Sequence, residues 1–316
     1  MKTGAPGRVT GIRAVVDDPD AVAKRLAECF DAPRDGAAIW FGGVRVVLEA
    51  PGSPARPRGV FALQLTCGNV DDARERLGER PCGMCVELRG AAEGEPSQKN
   101  PEITDREQRN PESRGGEPSQ KNPEMTAREK RNPDPAGAAA QTRGGITLDH
   151  VGVASADNEA AVALLCGRAG FPLESEQTDL EYRIPVETFV SNRYGVVQHA
   201  REPEPVGGLR VSFVTVGEVD LELLQDLDAT NSAARSEGPG TTRGDRSAIA
   251  RYVASRGPGL HHLAVRVPDI DARLDRLAAA GLPLIDRRGR PGSRRARIAF
   301  VHPRALGGLL IHLVER

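Results

Sequence analysis

GLHHLAVRVPDIDARLDRLAAAGLPL, from Gly259 to Leu284, holds two of the chain's six histidines side by side at the head of an apolar run. It reads as a strand and then a helix, with Ile270, Leu274, Leu277 and Ala278 at helical spacing and Gly281 as the C-cap. A similar opening stands earlier as ITLDHVGVAS, Ile146 to Ser155, again followed by a helix-like pattern. After each helix come short β-rich runs. The first set is EYRIPVETFVS, VVQHA, LRVSFVTVG and VDLELLQ, and the second is RIAFVHP and GLLIHLVE. Each half therefore reads roughly as β-α-β-β-β, which predicts an α+β fold built from a duplicated module.

The N-terminal part gives a fainter version. VTGIRAVVDDPDAVAKRLAECF and VFALQLTCGNVDDARERLGER both read as strand then helix, so the chain holds up to four copies with the first pair shortened. Between the halves, GEPSQKNPEITDREQRNP (Gly94–Pro111) returns 22 residues later as GEPSQKNPEMTAREKRNP (Gly116–Pro133). So polar and proline-punctuated a segment buries too little apolar surface to offset its ordering entropy. The expected organisation is a degenerate, metal-free domain over residues 1–92, a flexible linker over 93–146 and a metal-binding two-module domain over 147–316.

With 316 residues and a net charge of −1, the chain has no basic excess to argue for nucleic acid or an anionic membrane. No apolar run approaches the roughly 18 residues of a spanning helix, and MKTGAPGRVTG lacks the apolar centre of a signal peptide. A cytoplasmic protein acting on a small molecule is the expectation, and a homodimer is compatible with it. Five scattered cysteines do not read as a disulfide framework, and the lone Cys82-Gly83-Met84-Cys85 reads as two thiols on a buried strand.

Ionisable groups inside apolar strands are costly unless paired or bound to metal. His150 shares a strand face with Gly152 and Ala154, and His262 shares one with Ala264 and Arg266. Glu222 stands between Leu221 and Leu223, and His312 between Ile311 and Leu313. These four lie on the first and last strand of each C-terminal half, so pseudo-two-fold symmetry brings them together. Imidazole plus carboxylate suits a divalent Zn, Co, Mn, Ni or Fe ion. The corresponding N-terminal positions are Gly11, Val47, Ala62 and Glu87, which predicts no metal there. Glu187, Tyr194 and His199 are the remaining acid–base candidates, and Arg266 is a candidate for holding a substrate anion.

The motifs LDHVGVA, VDLELLQD, SAIARYVASRGPGLHHLAV, GRPGSRRARIAFVHP and GGLLIHLVE resemble the vicinal oxygen chelate (glyoxalase-like) superfamily of paired βαβββ modules, and within it the methylmalonyl-CoA epimerases. The resemblance covers the C-terminal 170 residues or so. It implies His150, Glu222 and His262 as metal ligands. Two departures stand out: His312 takes the place of the family's final glutamate, and Val186–Phe213 is longer than the epimerase pattern. The module count resembles the larger 2-epi-5-epi-valiolone epimerases. The implied activity is a metal-dependent epimerase that works through an enolate. The alternatives are an Fe(II)-dependent dioxygenase of the same fold and a non-catalytic small-molecule-binding protein of the resistance type.

Overall fold

The computed structural model describes residues 7–52, 56–91, 146–227 and 242–316. The tandem repeat and the expected linker lie outside these residues. The N-terminal elements are β1 (Arg8–Val15), α1 (Pro19–Phe30), β2 (Arg34–Asp35), β3 (Ala38–Phe41), β4 (Val44–Glu49), β5 (Gly59–Cys67), α2 (Val70–Leu77) and β6 (Cys85–Gly90). They are followed by β7 (Thr147–Ala154), α3 (Asn158–Val162), β8 (Leu173–Arg183), β9 (Val186–Ser191), β10 (Gly195–Ala200), β11 (Glu204–Val216) and β12 (Val219–Asp226). The last module holds α4 (Thr242–Arg256), β13 (Gly259–Arg266), α5 (Ile270–Ala279), β14 (Arg290–Pro291), β15 (Arg297–Val301) and β16 (Ile311–Glu315).

Two mixed sheets result. One runs β2-β3-β4-β1-β5-β6 and the other β14-β15-β16-β13-β7-β12-β11-β8. In the larger sheet two modules meet where β7 pairs antiparallel with β13, and each of these strands pairs parallel with its own module's last strand, β12 or β16. The smaller sheet repeats this plan: β1 pairs antiparallel with β5, β1 parallel with β4 and β5 parallel with β6. The fold is thus α+β with paired βαβββ modules, and the second N-terminal module is shortened to β5, α2 and β6.

The same local chemistry starts a helix in all four modules. Asp18, Asn69, Asp157 and Asp269 stand at the N-caps in extended backbone, and each side chain accepts a hydrogen bond from the amide three residues on. Gly281 follows α5 with φ of 76°, where a glycine avoids the steric cost of left-handed backbone.

Alternation along the strands sorts the two faces of the larger sheet. Val151, Val153, Leu263 and Val265 face a core shared with Ile12, Leu63 and Leu65 of the smaller sheet. The two halves therefore bury one continuous interior and form a single compact unit. The opposite face of the larger sheet carries His150, Gly152, His262 and Ala264. Helix α4 covers part of this face through Ile249, Tyr252 and Val253, which pack on Ala154, Leu209, Phe213 and Leu224. Among the described residues no helix is long and apolar enough to cross a membrane.

Three local readings differ from expectation. β8 begins at Leu173, eight residues before the expected strand, because LESEQTDLEYR is an edge strand largely exposed along its length and so lacks an apolar alternation. β14 supplies the second module's third outer strand with only two residues. Cys82 sits in a tight turn at φ of 51° and Cys85 is exposed, so the pair is not buried on a strand.

Candidate metal centre

The register places four ionisable side chains in one patch. His150 stands opposite Ala264 and His262 opposite Gly152 across the β7–β13 pair. Glu222 is level with Gly152, and His312 is level with Ala264. Each histidine of the central pair thus faces a small residue on the neighbouring strand. Gly152 is required for this: a Cβ there would lie within 3.0 Å of three atoms of the His262 ring. The space beside His150 is filled by that imidazole.

Two β-bulges aim the central histidines. The β7–β13 register slips once between Leu148 and His150 and once between Leu260 and His262, so Asp149 and His261 are the extra residues. Each extra residue hydrogen-bonds the histidine that follows it. Asp149 Oδ1 lies 2.9 Å from His150 Nδ1, and His261 Nδ1 lies 3.0 Å from His262 Nδ1. Both partners turn the Nε2 of the ligand candidate toward the patch. Asp149 is itself anchored by Arg266 Nε at 2.9 Å and by Arg316 Nη2 at 2.8 Å. His261 packs edge-on against Tyr252, with ring centroids 4.9 Å apart.

The smaller sheet keeps both bulges, at Thr10 and Phe61, each just before the position that corresponds to His150 or His262. Gly11 and Ala62 occupy those positions. Beside them Arg13 makes ion pairs with Glu49 and Glu87, and Glu87 also accepts a hydrogen bond of 2.8 Å from Gln64. An arginine guanidinium supplies the central positive charge there.

In the larger sheet the donors converge without such a cation. One donor atom from each of His150, Glu222, His262 and His312 lies within 4.8 Å of the others, and all four residues are buried. His150 Nε2 is 3.1 Å from Glu222 Oε2 and 3.2 Å from His312 Nδ1. His262 Nε2 is 3.4 Å from the same carboxylate oxygen, yet it makes no hydrogen bond, and neither does His312 Nε2. Phe213 and Phe300 wall the patch symmetrically, opposite Glu222 and His312. The Phe300 ring stacks on His312 at 4.4 Å.

The electrostatics fit a cation. Asp149 accepts a hydrogen bond from His150 Nδ1–H, so Nε2 points a lone pair at a carboxylate unless a proton or metal stands between them. Burial opposes charge on His150, but Glu222 and Asp149 outweigh it and push the imidazole up to about 9. Burial also opposes charge on Glu222, yet His150 and His262 hold it well below the usual carboxylate range. Burial, reinforced by neighbouring imidazoles, lowers His262 and His312 and keeps them neutral, which is the form that binds metal. Burial, then His262, takes His261 down to about 3, leaving it neutral too. Metal ligation through His262 Nε2 needs Nδ1–H to donate to His261, which its neutral partner can accept. Three imidazoles and one carboxylate suit a borderline divalent ion.

Residues 149–300 match the family model described as the glyoxalase/bleomycin resistance protein/dioxygenase superfamily. This stretch is a vicinal oxygen chelate domain. Among similar proteins, the ethylmalonyl-CoA/methylmalonyl-CoA epimerase of Cereibacter sphaeroides is 29% identical over 171 residues, 53% of this chain and 96% of the relative. The mitochondrial methylmalonyl-CoA epimerase of Homo sapiens is 26% identical over 128 residues, 40% of this chain and 64% of the relative. The crystal structure of methylmalonyl-CoA epimerase from Mycobacterium tuberculosis is 29% identical, with a TM-score of 0.37, over 53% of this chain and 86% of that one.

The structure brings His150, Glu222 and His262 of this stretch together with His312, which lies just beyond it. It does not bring the other candidates there. Glu187, Tyr194 and His199 lie on the β9–β10 hairpin and its turn, all exposed, and the hairpin forms a sheet of its own. Glu187 stands opposite His199 and makes an ion pair with Arg201 at 3.5 Å. Arg266 is exposed and spends its guanidinium on Asp149, so it reaches the site through the carboxylate that orients His150.

Sequence reading missed Arg294, which roofs the chelate domain's patch. Its guanidinium carbon lies 3.4 Å from the centre of the Phe213 ring. Its nitrogens reach Asp220 at 2.8 Å and Glu174 at 2.7 Å. The cavity beneath, lined by His150, Glu222, His312 and Phe213, is only about 10 Å³. Arg294 and Arg295 both hold left-handed backbone, with φ of 56° and 57°, at a cost of roughly 1–2 kcal/mol each for a non-glycine residue. The only sequence signal was a run of arginines after Gly292. Replacing Arg294 with glycine removes its share of that strain along with the roof. The expected outcome is a metal-loaded protein that EDTA strips several times faster than wild type; an unchanged stripping rate would take Arg294 off the access path.

Proposed function

We propose that the chain is a metal-dependent epimerase acting at a carbon next to a carbonyl. The observation that carries this reading is the buried cluster of three imidazoles and one carboxylate, with His150 Nε2 held against Glu222 Oε2 at 3.1 Å. His150, Glu222 and His262 would hold the ion, with His312 beside them as fourth ligand or base. When bound, a divalent ion at this donor set supplies positive charge that stabilises the oxyanion of an enolate, a contribution of several kcal/mol.

The chain's own residues do the rest. Asp149 and His261 fix the tautomers of His150 and His262, so both lone pairs meet at one point. Phe213, Phe300 and the roof of Arg294 exclude water, which strengthens every charge interaction beneath them. Proton transfer at the carbon requires a base and an acid. His312 is neutral and buried, and its Nε2 has no hydrogen-bond partner. It is either the fourth ligand or that base, and His312→Ala separates the roles: metal retained with exchange lost makes it the base, and metal lost makes it a ligand. In the same reading residues 1–92 are a metal-free scaffold that buries the back of the catalytic sheet, with residues 93–146 joining it to the 147–316 domain.

The substrate class we propose is an acyl-CoA thioester like methylmalonyl-CoA, the substrate named for the relatives, or a cyclitol ketone such as 2-epi-5-epi-valiolone. The test is incorporation of solvent deuterium by the metal-loaded protein. Exchange at the acidic carbon of either compound, lost in Glu222→Ala, supports the reading and names the substrate. A metal-loaded protein that exchanges neither compound but consumes oxygen would replace it with the dioxygenase chemistry included in the superfamily's description.

A further inference from the structure

A second cavity, of about 270 Å³, lies where the two halves of the chain meet. Arg58, Gly59 and Val60 wall it from the smaller sheet, and α4, His261 and the turn at Pro303 wall it from the larger. Its volume is near the lower end of sites that hold small organic molecules, and a seam between packed units is where such sites concentrate. It shares no lining residue with the cavity beneath Arg294. Three guanidiniums line it, those of Arg58, Arg251 and Arg256, and no carboxylate does. Val60, Leu260, Pro303 and Leu310 give it an apolar side.

Arg256 is set in advance to meet an anion. Its Nη1 donates to the Arg58 carbonyl at 2.8 Å, and its guanidinium carbon lies 5.3 Å from the centre of the Tyr252 ring. Among the described residues no carboxylate pairs with it, so most of its N–H donors remain for a ligand. Arg58 gives its Nε to Asp17 and keeps its terminal nitrogens. Gly308, at φ of 103°, makes room for Arg58: a Cβ there would stand 2.5 Å from Arg58 Cβ. The neighbouring hydroxyls are occupied, since Tyr252 donates to Leu260 O at 2.5 Å and Ser255 to Arg251 O at 2.8 Å. The donors left to a ligand are therefore chiefly cationic, which selects a molecule rich in anionic acceptors.

We propose that this cavity is a second ligand site, for a small organic molecule that carries a phosphate group, separate from the reaction at the metal. A phosphate brings several acceptor oxygens and a charge of up to about −2, which match converging guanidiniums. The apolar side takes the organic part. Arg58 lies outside residues 149–300, the stretch matched by the family model, so the site belongs to the join between the halves and needs the N-terminal one.

The test is titration calorimetry of the full, metal-loaded chain with phenyl phosphate. The variants are Arg256→Gln and Arg58→Gln, with Arg304→Gln as control, an exposed arginine outside the cavity. The expected result is one saturable site per chain. Each cavity variant should weaken it by about tenfold or more, the worth of one charge-assisted hydrogen bond, and Arg304→Gln should leave it unchanged. Thermal melts within a few degrees of wild type show that each variant is folded. No saturable binding would overturn the proposal. So would binding as tight in both cavity variants as in wild type, which is what phosphate held on the metal ion would give. Benzoate bound as tightly as phenyl phosphate would overturn the phosphate class, and displacement of phenyl phosphate by equimolar coenzyme A would overturn a site separate from an acyl-CoA substrate. Metal content is read in the same samples, so the outcome stands apart from the proposed activity.

Discussion

Glu222→Ala is expected to lower divalent-metal affinity by on the order of a thousandfold, equivalent to about 4 kcal/mol. Glu222 is the one anionic donor among the four, and it is buried, so its charge acts on the ion with little screening. Three neutral imidazoles remain, and among the described residues no other carboxylate joins the cluster, since Asp149 is committed to His150, Arg266 and Arg316. Titration calorimetry with Zn²⁺ or Co²⁺ checks this; a variant within tenfold of wild type would remove Glu222 from the ligand set. The metal-free protein adds a pH signature. His150 is raised from 6.5 to about 9 by its two carboxylates once burial is overcome. The native state therefore keeps a proton that the unfolded chain has lost between those values. That stabilisation is fully present below pH 6.5 and is lost as pH rises through about 9, with a magnitude of roughly 3 kcal/mol. Metal-free wild type should lose thermal stability between pH 7 and 9, and metal-free Glu222→Ala should lose much less over the same interval.

Gly152→Ala is expected to do nearly as much damage through a single methyl group. Its Cβ would stand within 3.0 Å of His262 Cε1, Nδ1 and Nε2. The ring is enclosed by Phe300, His261 and His312 and cannot swing aside without breaking those contacts. Overpacking of this kind costs about 1–3 kcal/mol of stability, and displacing His262 removes a ligand as well. Gly167→Ala is the control, because a Cβ there meets nothing within 4 Å. Metal titration and thermal melts of the two variants check the prediction. Wild-type metal affinity in Gly152→Ala would mean that His262 is not a ligand.

The convergence of His150, Glu222, His262 and His312 was legible in the sequence because Glu222 and His312 are ionisable groups between apolar neighbours, His150 and His262 each precede a small residue on the same strand face, and the module symmetry repeats the four positions. The same symmetry puts Gly11 and Ala62 at the matching positions of the smaller sheet. What the sequence hid lies where strict alternation breaks. Period-two reading sends Asp149 and His261 to the face opposite their histidine neighbours, but the two bulges bring them alongside. The same reading aimed Arg266 at the pocket, whereas its length lets it turn to Asp149. Arg294 acts through a left-handed turn, which gives no periodic signal. Glu187, Tyr194 and His199 were grouped with the site because their stretch interrupts the module, and that interruption folds as a separate ribbon.

The most direct test of the account is a crystal structure of protein loaded with Zn²⁺ or Co²⁺, with diffraction recorded on either side of the metal's absorption edge. The account predicts one anomalous peak per chain, at coordination distance (about 2.0–2.2 Å) from His150, Glu222 and His262 and in contact with His312, with none at Arg13. A peak elsewhere, or no peak at these residues under saturating metal, would contradict it.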